Sequence, residues 1–309
     1  KKLEFGIELG FLKDRLLISS TWYRSRTGDQ LIAYSLPAQT GFNSVLENEN
    51  ALIQNTGFEF VLQATVVKNA NFSWNSSFNM TIPANKLLSF PGLAKSSYAT
   101  AYQVGKPITE IYGFRYGGVN PADGFFRFYG ANGQLTENPV VSQGGSFNDY
   151  FPIGKGYPDF YGGWQNNFRF KNIQLDIFLQ YSKQQGANYL GQIYNYLPGE
   201  AFNQPAALQN TWRAPGQSSS YQVLSSQEGQ AANSAVAFTE SSGAYSDASY
   251  IRVKTIAFSY SLPLPVVKKM SVQSVRIYLA AQNLFTITGY KGNDPETQNF
   301  YGVPPLKTI

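Results

Sequence analysis

The chain has 309 residues and a formal net charge of +5, yet only 14% of its side chains are charged, against roughly 25% in soluble domains. Aromatic residues reach 16%, while the mean hydropathy of −0.26 is ordinary. Zero Cys and zero His exclude disulfides, thiolate chemistry, zinc–thiolate sites and the commonest general base, and Lys and Arg lie dispersed, with no basic stripe of the kind nucleic acid needs.

The elements follow from a period of two, taken in chain order. Leu3, Phe5, Ile7, Leu9 and Phe11 alternate with Glu4, Gly6, Glu8 and Gly10. Leu16, Ile18 and Trp22 continue on one parity. Phe58, Phe60, Leu62, Ala64 and Val66 alternate with Gly57, Glu59, Gln63 and Thr65. Phe72, Trp74, Phe78, Met80 and Ile82 face away from Ser73, Asn75, Ser77, Asn79 and Thr81. Phe160, Trp164, Phe168 and Phe170 oppose Tyr161, Gln165, Asn167 and Arg169, and Ile173, Leu175, Ile177, Leu179 and Tyr181 oppose Asn172, Gln174, Asp176 and Gln180. Segment 250–262 begins on one phase (Ile251, Val253) and ends on the other (Ile256, Phe258, Tyr260), which predicts a bulge. Val275, Ile277, Leu279 and Ala281 oppose Ser274, Arg276 and Gln282.

Such alternation suits a wall with lipid on one side and water on the other. The runs approach the ~9–11 residues that cross a bilayer at a tilt, whereas strands of a soluble sandwich average ~5–6. No window approaches the ~18–20 apolar residues of a membrane helix, so spanning falls to strands. Short links at 12–15, 68–71, 171–172 and 263–272 alternate with long ones at 28–55, 83–158, 183–249 and 284–305. Outer-membrane barrels show this asymmetry, with the short turns periplasmic. Segments 108–116 and 125–129 are expected to add strands that extend the wall above the membrane.

The reading is therefore an all-β chain, an antiparallel transmembrane β-barrel of eight strands with Leu306–Ile309 opening a ninth. An eight-stranded barrel alone is filled by its own side chains, and the inward charges Glu4, Glu8, Glu59, Asp176, Arg169 and Arg276 suit such a filling. The ninth strand, and ends that fall inside strand patterns, point instead to a piece of a wider barrel.

Several segments resemble the C-terminal region of SusC/RagA-type TonB-dependent transporters of Bacteroidetes outer membranes. They are Ala248-Ser249-Tyr250-Ile251-Arg252-Val253-Lys254 running to Pro263, Val275 to Thr286, and Tyr290-Lys291-Gly292 with Asp294-Pro295-Glu296. Gly105-Lys106-Pro107-Ile108, Tyr112-Gly113-Phe114, Tyr157-Pro158-Asp159-Phe160-Tyr161 and Thr40-Gly41-Phe42 are similar in the same order. The resemblance implies that residues 1–309 are the C-terminal part of one 22-stranded barrel domain, with the plug, the N-terminal strands and most of the last strand outside the chain. It also implies nutrient import with a SusD-like surface lipoprotein, drive from TonB–ExbB–ExbD through the N-terminal part, outer-membrane lipid around the wall, and no cofactor.

Within the long links, Tyr194, Tyr196, Trp212, Phe147, Tyr150 and Phe151 are candidates to stack on cargo; the competing reading packs them loop against loop. Trp22, Trp74 and Trp164 read as aromatics of the membrane interface. Glu4 and Glu8 share a strand face, but without His or Cys they read as wall charges rather than a hydrolytic pair, so no enzyme is expected. Asp123-Gly124 and Asn132-Gly133 read as turns and no metal is expected. The runner-up function is a surface adhesin, or a structural barrel within a secretion or attachment assembly.

Overall fold

Lipid-and-water alternation becomes eight antiparallel strands: β1 (Lys2–Phe11), β2 (Leu16–Thr27), β3 (Leu52–Lys68), β4 (Phe72–Ser89), β5 (Phe160–Phe170), β6 (Ile173–Lys183), β7 (Tyr250–Ser261) and β8 (Arg276–Gln282). The computed structural model describes residues 1–309 except 36–37, 100, 144–145, 148, 196–197, 202 and 301; at 32, 34–35, 38, 142–143 and 146–147 it describes the backbone only. Each wall strand pairs with its neighbour in sequence, so the sheet is a plain meander from β1 to β8, and a short strand, Thr286–Thr288, also pairs with β7. Among the described residues β1 and β8 do not pair with each other; the wall is open. The expected ninth strand is a single antiparallel bridge, Gln282 to Thr308.

Register sorts the two faces. Leu9, Ile18, Leu62, Phe78, Trp164 and Leu179 form one cross-strand row. One residue along each strand, Glu8, Ser19, Val61, Asn79, Gly163, Gln180 and Arg252 form a row on the other face. Among the described residues none covers the apolar face: Phe5 is 69% exposed, Ile277 62%, and Leu9, Phe11, Trp22, Phe58, Trp164 and Phe258 are exposed too. Phe60, Trp74, Phe168 and Leu175 are only half-buried, shielded by neighbours. A soluble sandwich would lay a second sheet ~10 Å above this surface. From Phe160 to Phe170, 11 residues rise about 33 Å along the strand, or about 23 Å at ~45° tilt, close to the ~25 Å apolar band of such barrels.

Ser76 and Asn166 interrupt the apolar face on neighbouring strands, and they sit opposite each other. Trp164 Nε1 donates to Ser76 Oγ at 2.8 Å and Trp74 Nε1 donates to Asn166 Oδ1 at 3.0 Å. Trp74 also stacks on Phe168 at 5.5 Å. Hydrocarbon offers no partners to a polar group, so the two indoles satisfy them.

The predicted phase slip is a bulge at Lys254, where Phe178 pairs with Thr255 and Leu179 with Val253. Opposite it, Asn283 takes a left-handed conformation (φ 52°) and interrupts β8 before Thr286–Thr288 resumes the pairing.

Leu62→Arg places a charge at mid-height on the lipid face and is expected to cost about 2–4 kcal/mol in folding into vesicles. The neighbouring Gln63→Arg, on the wet face, is expected to cost little. Equal costs for the two would contradict the assignment of faces.

Beyond the wall, the expected strands at 108–116 and 125–129 exist as Glu110–Val119 and Phe126–Tyr129, with one correction. They join Tyr150–Lys155 and Leu135–Thr136 in a separate four-stranded sheet rather than extending the wall. Link 28–55 holds a hairpin, Gln30–Ser35 with Ser44–Glu49. Link 183–249 holds helices α1 (Tyr189–Tyr194) and α2 (Gln230–Thr239), and the 263–272 link holds α3 (Leu264–Lys269). Asn188 starts α1 by accepting from the N–H groups of Leu190 and Gly191.

The largest buried apolar cluster lies outside the membrane span. Phe114, Phe126, Phe128, Ile193, Tyr194, Leu208 and Phe238 pack together, so the links 83–158 and 183–249 share one core. The two are joined closely: Phe114 N donates to Glu240 O at 3.0 Å, and a Cβ on Gly113 would lie 2.1 Å from that carbonyl oxygen.

Candidate functional site

Two motifs far apart in the chain meet on the wet face. Segment 289–300 folds back over β7, and Asp294 braces its own turn by accepting from the N–H groups of Glu296 and Thr297 at 3.0 Å. Arg252, 1% exposed, reaches into this turn from β7. Its Nη2 contacts Asp294 Oδ2, its Nη1 lies 2.6 Å from Glu296 Oε2, and its Nε donates to Thr286 Oγ1 at 2.9 Å. Lys254 Nζ adds a 3.0 Å contact to Glu296 Oε2, and Gln180 Nε2 donates to Glu296 Oε1 at 3.2 Å. Two cations face two carboxylates, and every guanidinium nitrogen has a partner. The cluster is a latch that holds the 289–300 segment against the wall. Opposite charges in the two motifs were the available sign that they meet.

The aromatic candidates divide. Tyr194 is 2% exposed, edge-on to Phe126 (4.8 Å) and Phe238 (5.2 Å). Trp212 is 9% exposed; its Nε1 donates to Pro121 O at 3.0 Å and its ring covers Gly124, where a Cβ would fall 2.4 Å away. Neither presents an open ring face: both hold loop against loop, the competing reading of these aromatics. Tyr150 is half-buried, edge-on to Phe114 at 5.2 Å, with its hydroxyl donating to Glu240 at 3.4 Å. Burial and the Glu240 charge push its phenol up to about 12, so the hydroxyl stays a donor at neutral pH. Arg115 stands 3.9 Å over the Phe151 ring. Tyr196 and the Phe147 side chain lie outside the described residues.

No model of a protein family matches the chain. Among curated proteins it is 29% identical to TonB-dependent receptor P3 of Formosa agariphila over 323 residues, covering 96% of this chain and 30% of that protein. It is 26% identical to TonB-dependent receptor SusC of Bacteroides thetaiotaomicron, covering 95% and 29%. Among solved structures, a chain of the RagAB peptide transporter superposes with a TM-score of 0.77 at 23% identity, over 96% of this chain and 32% of that one. The chain is related to the SusC/RagA-type TonB-dependent receptors. It spans about 30% of the length of the curated relatives it matches, and they are named receptors, not enzymes.

The remaining charged candidates fall on the wet face of the wall or in turns outside it. Glu4 and Glu8 are wet-face residues, and Glu4 pairs with Lys2 at 2.7 Å. Asn120 Nδ2 donates to Asp123 at 2.7 Å and Glu137 at 2.6 Å, while Gly124 and Gly133 take left-handed turn conformations (φ 82° and 77°). Among the described residues no group of three or more carboxylates is placed to hold a metal ion.

Proposed function

We propose that this chain forms part of the spanning wall, with its external cover, of an outer-membrane active importer of oligosaccharides or oligopeptides. A SusD-like surface lipoprotein would deliver cargo, and TonB–ExbB–ExbD would act through a plug carried elsewhere in the polypeptide. The carrying observation is the single-layered sheet, bare and apolar on one face and polar on the other, aligned to TonB-dependent receptors over 96% of the chain. A sheet with one uncovered apolar face is stable only where hydrocarbon covers it.

Of the cargo candidates, Tyr150 is half-buried where Tyr194 and Trp212 are buried, and it is assigned to cargo together with Phe147 and Tyr196. Trp22 is assigned to the membrane interface, where Trp74 and Trp164 also contribute while satisfying Ser76 and Asn166. Leu31, Phe42, Val45 and Leu46 leave the 30–49 hairpin exposed and apolar, which suits a partner protein on the cell surface.

Uptake of labelled oligopeptides and oligosaccharides by cells making the full polypeptide tests the proposal. Accumulation is expected to vanish when TonB is deleted or the proton gradient is collapsed. Uptake indifferent to both, in a protein that fractionates with outer membranes, would favour the adhesin or assembly-component reading.

A further inference from the structure

The basic residues are scattered in sequence, but the meander gathers many of them at one end of the wall. Residues 12–15, 68–71, 169–172 and 262–276 hold eight of the chain's 24 Lys and Arg but only one, Asp14, of its 19 Asp and Glu. The rest of the chain, with 16 basic and 18 acidic residues, is net −2. The first link carries Lys13 and Arg15, Lys68 stands where the second begins, the third carries Lys171 and the fourth Lys268 and Lys269, while Arg169 and Arg276 stand on the wet face at the adjoining strand ends. All eight are exposed, and among the described residues none joins an ion pair.

A second feature lies at the same end. Helix α3 buries Val267 but exposes Leu264 and Val266, with Met270 and Val272 exposed just after it, beside Lys268 and Lys269. Tyr260 and Ile277, which face each other across β7 and β8, bring the bare lipid face down to this connector. Lys171 lies 5.5 Å from the Phe170 ring at the foot of the same face. Apolar side chains continuous with a lipid-facing surface, next to unpaired ammonium groups, are the composition of an element seated at the headgroup boundary.

We propose that this rim is a collar for anionic phospholipid headgroups, with α3 resting at the boundary between headgroups and acyl chains. The proposal rests on the membrane-wall reading above, in which the short links face the phospholipid leaflet. Positive charge spread over all four links, rather than confined to one patch, fits a lipid annulus better than a single docked protein.

The test uses the full polypeptide, purified and reconstituted in nanodiscs of phosphatidylglycerol or of phosphatidylcholine, with retained lipid counted by native mass spectrometry after extraction. At about 0.15 M salt, phosphatidylglycerol is expected to be retained at least tenfold over phosphatidylcholine. Each lysine near the surface contributes about fivefold, so the variant K171Q/K268Q/K269Q is expected to lose at least tenfold of that preference. K95Q/K106Q, altered at the opposite end, is expected to keep it. Equal retention of the two lipids, or an unaltered preference in the triple variant, overturns the collar while a folded, heat-modifiable barrel leaves the wall intact. A protein that stays in solution without detergent overturns the wall itself.

Discussion

Arg252→Ala is expected to destabilise the protein by about 3–5 kcal/mol, because it leaves the Asp294 carboxylate buried without its cation. The loss has two readouts. The midpoint of denaturant unfolding in detergent falls, and the 289–300 segment becomes cleavable by protease under conditions where the wild-type segment is resistant. A double-mutant cycle with Asp294→Ala should show a coupling of about 0.5–3 kcal/mol, as residues sharing one charge network do. Additivity of the two substitutions would mean that the latch is not a unit. Lys254, which also touches Glu296, partly screens the remaining carboxylate, so Lys254→Ala alone should cost much less.

The second large effect lies above the membrane. Phe238→Ala removes a ring that stacks on Phe126 at 4.3 Å and meets Tyr116 at 5.1 Å and Tyr194 at 5.2 Å. Deleting a buried phenylalanine costs about 3–5 kcal/mol, and here the cost falls on the shared core of the 83–158 and 183–249 links. The wall has its own hydrogen-bonded ladder and should still assemble. Limited proteolysis is therefore expected to nick the links while the heat-modifiable barrel band persists on gels. Loss of that band in step with the nicking would show that cover and wall fold as one unit, contrary to the separation of their cores.

The wall was legible because two solvents act on it. Lipid and water impose a period of two on every spanning segment, so the 171–172 turn between Phe170 and Ile173 could be placed to the residue, and the slip in β7 could be assigned to a bulge. The cover was not legible for the converse reason. α1 and α2 pack into a core made from several short pieces, and a link of that kind carries no sustained period. Tyr194 and Trp212 illustrate the same limit: a loop aromatic has one composition whether it faces cargo or is buried against Phe126 or Gly124. Ser76 and Asn166 broke the apolar pattern visibly, but only the cross-strand register reveals that they are neighbours served by two indoles. The basic rim likewise needs the meander, since its members run from residue 13 to residue 269.

The bulge at Lys254 makes β7 a strand whose two halves would contradict each other if drawn straight. Below it Phe258 and Tyr260 occupy the hydrocarbon side; above it Ile251 does, and Tyr250 and Arg252 turn to the water. Excising that one residue would rotate the upper half by a half-turn, sending the guanidinium into acyl chains and Ile251 into the bore. In this strand, then, residue count carries more of the design than residue identity, and a one-codon deletion is a graver lesion than many substitutions.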